Sequence, residues 1–139
     1  MQQTPEPSSR IQDMEIDIRN VLLVDDDEDL RSALKALLEA RSFVVTTASN
    51  GVEALRETMQ FDFDAIICDL LMPTMPGDMF YRAVERTKPN LCSRFIFITG
   101  NRLDPRREQF LEEIQGEILN KPFQVDDLVE VIGLVSRRQ

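Results

Sequence analysis

"VLLVDDDEDL" (residues 21–30) places four apolar residues of the kind found in strands directly before five consecutive acids. A short, continuous apolar run is typical of a strand that is buried on both faces of a parallel sheet. Five adjacent carboxylates repel one another, so their clustering indicates a structural or chemical role for them. The stretch therefore predicts a buried strand that ends at a charged site.

The same alternation of strand and helix patterns continues along the chain. Four further segments are predicted to be strands, at residues 43–48, 65–68, 95–99 and, as a short fifth strand, 117–120. Five strands that alternate with five helices predict a single α/β domain, a doubly wound five-stranded parallel sheet, with the flavodoxin-like order 2-1-3-4-5. Apolar residues at helical spacing mark the helices: Leu30, Ala33, Leu34, Leu37, Leu38; Val52, Leu55, Met59; Met79, Phe80, Ala83, Val84; Phe110, Leu111, Ile114; Val125, Leu128, Val129, Ile132, Val135.

The first 18 residues differ from the rest in composition. They are polar, contain Pro5, Pro7, Ser8 and Ser9, and have little periodicity, so residues 1–18 are predicted to form a flexible N-terminal tail or linker. The folded domain is expected over residues 19–139.

Composition excludes several classes of function. A net charge of −9 repels nucleic-acid phosphates and anionic lipid, so no direct nucleic-acid or membrane partner is expected. No apolar stretch approaches the roughly 20 residues that span a bilayer, and we expect a cytoplasmic protein.

The chain has no histidine, which rules out Ser/His and Cys/His triads and the common zinc sites. Cys68 and Cys92 are expected to be buried, reduced thiols.

Polar residues follow the predicted strands at their carboxyl ends, where open α/β sheets bind ligands. They are Asp25, Asp26, Asp69, Thr99 and Lys121. In the order 2-1-3-4-5, strands one and three are neighbours, so the three carboxylates share one crevice and repel one another unless a cation is bound. Because the donors are hard oxygens, Mg²⁺ is the expected ion.

Such a crevice suits phosphoryl transfer. Asp69 would be the nucleophile, since an aspartate can form an acyl phosphate. Lys121 would pair with the phosphoryl group and the Thr99 hydroxyl would donate a hydrogen bond to it. The acids Asp27, Glu28 and Asp29 are instead expected to cap the first helix and complement its dipole.

Four motifs together carry a family resemblance. "VLLVDDDEDL", "AIICDLLMPTMPG" (65–77), "FIFITG" (95–100) and "ILNKPF" (118–123) resemble the receiver domain of two-component response regulators, chemotaxis regulators included, over roughly residues 20–138. The resemblance implies that Asp69 is the phosphoacceptor and that Asp25 and Asp26 position Mg²⁺ with the Leu71 backbone carbonyl. It also implies that Thr99 is the switch hydroxyl and that Lys121 binds phosphate and precedes a cis proline bond.

The resemblance implies partners as well. The phosphoryl donor would be a phosphohistidine on a histidine kinase or a histidine phosphotransfer protein. A downstream protein would dock on the face formed by the fourth helix, fifth strand and fifth helix, and the resemblance leaves room for a homodimer. The chain would not be an enzyme beyond its own phosphorylation and slow autodephosphorylation. It would be either a free-standing regulator or a piece of a hybrid kinase or larger regulator.

Three positions bear on how the family pattern would operate in this chain. Three residues before the lysine, receivers often carry an aromatic switch residue, and this chain has Ile118. Leu71 and Asn101 flank the path that the hydrolytic water takes in receivers. We hypothesise that apolar Leu71 slows loss of the phosphoryl group and that Asn101 partly offsets this.

Three other functional classes compete with this one. A haloacid-dehalogenase-like phosphatase needs a second acid two residues after its nucleophile, where this chain has Leu71. "ITGN" (98–101) is similar to a flavodoxin phosphate loop but follows the fourth strand and lacks its run of hydroxyls. The serious alternative is a pseudo-receiver, a binding module of the same fold that is never phosphorylated.

Overall fold

The structure is a computed structural model that describes residues 19–100 and 103–138. The predicted tail at residues 1–18 and the predicted role of Asn101 lie outside these residues. The elements are β1 (Asn20–Val24), α1 (Glu28–Glu39), β2 (Val44–Ala48), α2 (Gly51–Gln60), β3 (Ala65–Asp69), α3 (Gly77–Thr87), a 3₁₀ helix (Pro89–Arg94), β4 (Phe95–Thr99), α4 (Pro105–Glu113), β5 (Glu117–Asn120) and α5 (Val125–Ser136).

The five strands form one parallel sheet with the order β2-β1-β3-β4-β5, which confirms the predicted topology. β1 lies between β2 and β3, and Val24 pairs with Cys68. The next residues, Asp25 and Asp69, therefore leave neighbouring strands side by side. At the same carboxyl-terminal end of the sheet, Thr99 on β4 pairs with Asn120 on the outer strand β5.

Two apolar clusters, one on each face of the sheet, hold the layers together. Alternate residues of β1 enter different clusters, because successive side chains of a strand point to opposite faces. One cluster contains five aromatic side chains, and the centroids of rings in contact lie 5.0–6.0 Å apart. Burial of these rings stabilises the packing of α3 and α4 on β4. The group consists of Phe80, Tyr81, Phe95, Phe97 and Phe110.

The predicted helix faces are partly wrong. Leu37, Val52, Met59 and Met79, each assigned to an apolar face, are 45%, 42%, 62% and 55% exposed. In α2 the buried residues are small, namely Gly51, Ala54 and Thr58. Short side chains let this helix approach its neighbours closely, so Val52 and Met59 lie toward solvent, while Leu55 packs against the core as predicted.

The first turns of three helices are fixed by side-chain caps. Asp27 accepts a hydrogen bond from the amide of Leu30 (3.1 Å) and Asn50 accepts one from the amide of Glu53 (2.9 Å). Asp104 caps α4 in the same way. The capping role predicted for Asp27 is thus confirmed, and it holds the chain just after Asp25 and Asp26.

Both cysteines are free and buried, as expected. None of the helices in the described part of the chain combines the length and apolar character that a membrane span requires.

Candidate functional site

Three carboxylates meet at the carboxyl ends of β1 and β3. One carboxylate oxygen from each of Asp25, Asp26 and Asp69 lies within 4.8 Å of the other two. Asp25 is buried, Asp69 is half-buried and Asp26 is exposed, so the group opens from the sheet edge to solvent. The predicted juxtaposition of the three acids is present.

Asp25 is held by both its backbone and its side chain. Its amide donates to the Ala48 carbonyl (3.1 Å), and its own carbonyl accepts a hydrogen bond from Arg31 Nη1 (2.6 Å). Its Oδ1 accepts a hydrogen bond from the amide of Asp27 (2.8 Å). These contacts to β2 and α1 fix one wall of the crevice.

Asp69 is positioned by the turn that follows it and by the start of α3. The Leu71 amide donates to Asp69 Oδ1 (3.2 Å). Gly77 packs directly behind this residue, because a Cβ at position 77 would lie 2.8 Å from the Asp69 carbonyl oxygen and 3.1 Å from a ring carbon of Phe97. The close approach of α3 therefore sets the depth of Asp69 in the crevice.

Gly77→Ala is expected to lower the free energy of unfolding by roughly 1–3 kcal/mol, because the added methyl group must displace the backbone of β3. Urea denaturation measures this. Gly133→Ala in α5 is the matched control, since a Cβ there has no neighbour within 4 Å. Removing a helical glycine should leave stability equal or higher, and equal losses in the two variants would contradict this account of Gly77.

Burial and mutual repulsion disfavour the charged form of two of the acids. Loss of solvation by burial is the main reason that the pKa of Asp25 is raised, and the neighbouring Asp26 adds to it. Burial likewise raises the pKa of Asp69, with Asp25 as an additional cause. The positive charge of Lys121 opposes both shifts. A cation between the carboxylates would relieve this repulsion.

The residues fit a hard divalent cation. Carboxylate oxygens from two neighbouring strands are the ligands that Mg²⁺ prefers, and open coordination positions would be filled by water. Asp25, Asp26 and Asp69 would hold the ion. Leu71, two residues after Asp69, is 47% exposed.

Thr99 and Lys121 lie at the carboxyl ends of the next two strands. Thr99 is 3% exposed, and its backbone carbonyl accepts a hydrogen bond from the Lys121 amide (2.8 Å). The Lys121–Pro122 bond is cis, as the resemblance implied. All five predicted site residues therefore share one edge of the sheet.

The sequence did not point to Asn120. Its Oδ1 accepts a hydrogen bond from the Thr99 hydroxyl (2.9 Å). The signal available in the sequence was positional, since the last residue of β5 must pair with the last residue of β4. Ile118, two residues earlier on the same strand, is 40% exposed.

Comparison with known proteins is consistent with this geometry. Residues 21–133 match the family model of the response regulator receiver domain. The response regulator receiver protein CpdR of Brucella abortus (strain 2308) is 30% identical over 83% of this chain and 94% of its own length. The sensor kinase CckA of the same organism is 30% identical over 86% of this chain, which spans 13% of the length of CckA.

A solved structure shares the fold. The receiver domain of the sensor histidine kinase PA1611 from Pseudomonas aeruginosa PAO1 has a magnesium ion coordinated in its active site cleft. It aligns with a TM-score of 0.76 and 25% identity, covering 86% of this chain and 98% of that one.

Proposed function

We propose a function for this chain as a member of the response regulator receiver domain family of two-component systems, to which it belongs. It accepts a phosphoryl group on Asp69 in a Mg²⁺-dependent reaction. Phosphorylation then changes its binding to a partner. The observation that carries the proposal is the convergence of three carboxylates within 4.8 Å. Thr99 and Lys121, at the two neighbouring strand ends, supply a hydroxyl and a positive charge for the incoming group.

In the proposed reaction, a carboxylate oxygen of Asp69 attacks the phosphorus of a phosphohistidine on a histidine kinase or phosphotransfer protein. The P–N bond breaks, an acyl phosphate forms, and the imidazole leaves with the electron pair of that bond. Mg²⁺, when bound, offsets negative charge on the phosphoryl oxygens. Lys121 stabilises the same oxygens by charge and Thr99 by a hydrogen bond.

We propose that the chain acts as a signalling phosphoacceptor in the cytoplasm and not as an enzyme with a separate substrate. The sensor kinase among its relatives supports a kinase as the phosphoryl donor. The face formed by α4, β5 and α5 would then bind a downstream protein or a second copy of the chain, since it adjoins both Thr99 and Lys121.

Phosphoryl incorporation tests the proposal. The wild type is incubated with acetyl phosphate and either Mg²⁺ or a chelator, and its intact mass is measured. One phosphoryl group is expected with Mg²⁺, and little or none with the chelator. Absence of incorporation with every small phosphodonor would favour the alternative, a pseudo-receiver that binds its partner unmodified.

The Leu71 side chain is expected to slow hydrolysis of the acyl phosphate, because an exposed apolar group two residues after Asp69 cannot orient an attacking water. Leu71→Asn should speed phosphoryl loss by roughly two- to tenfold, the effect of about one hydrogen bond. Decay of the phosphorylated fraction, followed by mass spectrometry, gives the rate.

Leu37→Asn is the matched control, because Leu37 has nearly the same exposure as Leu71 (45% and 47%) but lies on α1. It should not change the rate. An unchanged rate in Leu71→Asn, or an equal acceleration in both variants, would show that Leu71 does not protect the phosphoryl group.

A further inference from the structure

The Thr99 hydroxyl has a single proton, and the structure shows where that proton is directed. The hydroxyl donates to Asn120 Oδ1 at 2.9 Å. Since a threonine hydroxyl can donate only one hydrogen bond, it cannot donate to Asn120 and to a phosphoryl oxygen at the same time. Binding of a phosphoryl group by Thr99 therefore requires the bond to Asn120 to break.

The surroundings of this pair allow such an exchange. Thr99 and Asn120 line a cavity of about 420 Å³ together with Leu103, Leu111 and Ile118. Among the described residues, none of the three carboxylates of the crevice lines it. Thr99 thus lies between the acids on one side and an open space below α4 on the other.

Asn120 connects the buried hydroxyl to the protein surface. Thr99 is buried, whereas Asn120 is exposed and ends the edge strand β5. The backbone of β4 and β5 is paired here, and the Lys121 amide donates to the Thr99 carbonyl. Side-chain rearrangement of Asn120 can therefore occur without loss of the strand pairing.

We propose that Asn120 is a positioning residue that holds the Thr99 hydroxyl in the unphosphorylated state, and that its release reports phosphorylation at the exposed end of β5. The proposal rests on the proposed function of Asp69. The side-chain amide of Asn120 can exchange one hydrogen-bond partner for another at the surface of β5. The apolar side chain of Ile118, on the same strand, has no hydrogen bond to exchange.

The test uses beryllium fluoride with Mg²⁺, a mimic of a carboxylate-bound phosphoryl group. Asn120→Ala removes a bond that must break on activation, so its apparent affinity for the mimic should exceed that of the wild type by roughly two- to tenfold. Asn120→Asp keeps an acceptor for the hydroxyl and adds a negative charge, so its affinity should not rise. Asn90→Ala, at another exposed asparagine, should match the wild type.

NMR of the Asn120 side-chain amide provides a second readout. Its resonances, identified by their loss in Asn120→Ala, should move when the mimic binds to the wild type. Thr99→Ala should shift them without the mimic, because the hydrogen bond is absent, whereas Thr99→Ser keeps the hydroxyl and should not.

The outcomes separate the two proposals. A wild type that neither binds the mimic nor becomes phosphorylated refutes the proposed function itself. If the wild type binds the mimic but Asn120→Ala has equal or lower affinity, or if the Asn120 amide resonances stay in place, the role of Asn120 is refuted and the role of Asp69 stands.

Discussion

Asp25→Asn is expected to weaken Mg²⁺ binding at least about tenfold and at the same time to stabilise the metal-free protein by about 1 kcal/mol. The substitution removes one of three carboxylates whose oxygens lie within 4.8 Å of one another. It keeps the Oδ1 atom that accepts the hydrogen bond from the Asp27 amide. The loss in binding and the gain in stability have the same cause, namely the removal of repelling charge.

The pH dependence of this gain follows from the direction of the pKa shift. Burial raises the pKa of Asp25 above its ordinary value of 3.8. Protonated Asp25 therefore does not lower the free energy of unfolding below pH 3.8. As the pH rises through the folded-state pKa, Asp25 ionises in the folded protein and stability is lost. The advantage of Asp25→Asn should be largest near neutral pH and should vanish in acid.

Isothermal titration with Mg²⁺ and urea unfolding in a chelator measure the two effects. Asp27→Asn is the matched control, because it removes the same charge two residues away and asparagine still caps α1. It should bind Mg²⁺ nearly as well as the wild type. Equal losses of affinity in the two variants would mean that only net charge matters and that Asp25 is not a ligand.

Lys121→Met is expected to slow phosphorylation by acetyl phosphate by roughly 10²-fold, the scale of one lost electrostatic contact to a transferring group. The positive charge of Lys121 opposes the rise that burial causes in the pKa of Asp25 and of Asp69. Without it, metal-free protein should also be less stable near neutral pH, the opposite of the effect of Asp25→Asn. The initial rate of mass gain and urea unfolding measure these changes.

Two variants control for charge and for position. Lys35→Met removes a half-buried lysine that pairs with Glu39 on α1, and the variant should be phosphorylated at the wild-type rate. Lys121→Arg keeps the positive charge and should retain stability better than it retains the rate, since the geometry of the contact changes. A normal rate in Lys121→Met would remove this residue from the proposed mechanism.

The sheet and the acid cluster could be predicted because each follows from a local pattern. Apolar runs of four residues end just before Asp25, Asp69 and Thr99, and the short strand segment at residues 117–120 ends just before Lys121. Parallel strands bring their carboxyl ends to one edge of the sheet. Once the strand order was expected, the meeting of the three carboxylates required no knowledge of side-chain packing.

What the sequence did not reveal depends on packing between distant elements. Periodicity placed Val52 and Met59 on the buried side of α2, yet the buried residues of this helix are Gly51, Ala54 and Thr58. The space available to this helix is set by its neighbours and not by its own pattern. Similarly, the bond from Thr99 to Asn120 joins residues 21 positions apart and depends on the β4–β5 register.

The measurement that tests the central claim most directly is chemical mapping of the phosphorylated residue. Protein treated with acetyl phosphate and Mg²⁺ is reduced with borohydride, which converts an aspartyl phosphate to homoserine and releases phosphate, and its peptides are then sequenced by mass spectrometry. Homoserine at position 69, and its absence in Asp69→Asn, is the predicted result. Homoserine at position 25 or 26, or a phosphoryl group that persists on a hydroxyl side chain, would contradict the assignment of Asp69 as the phosphoacceptor.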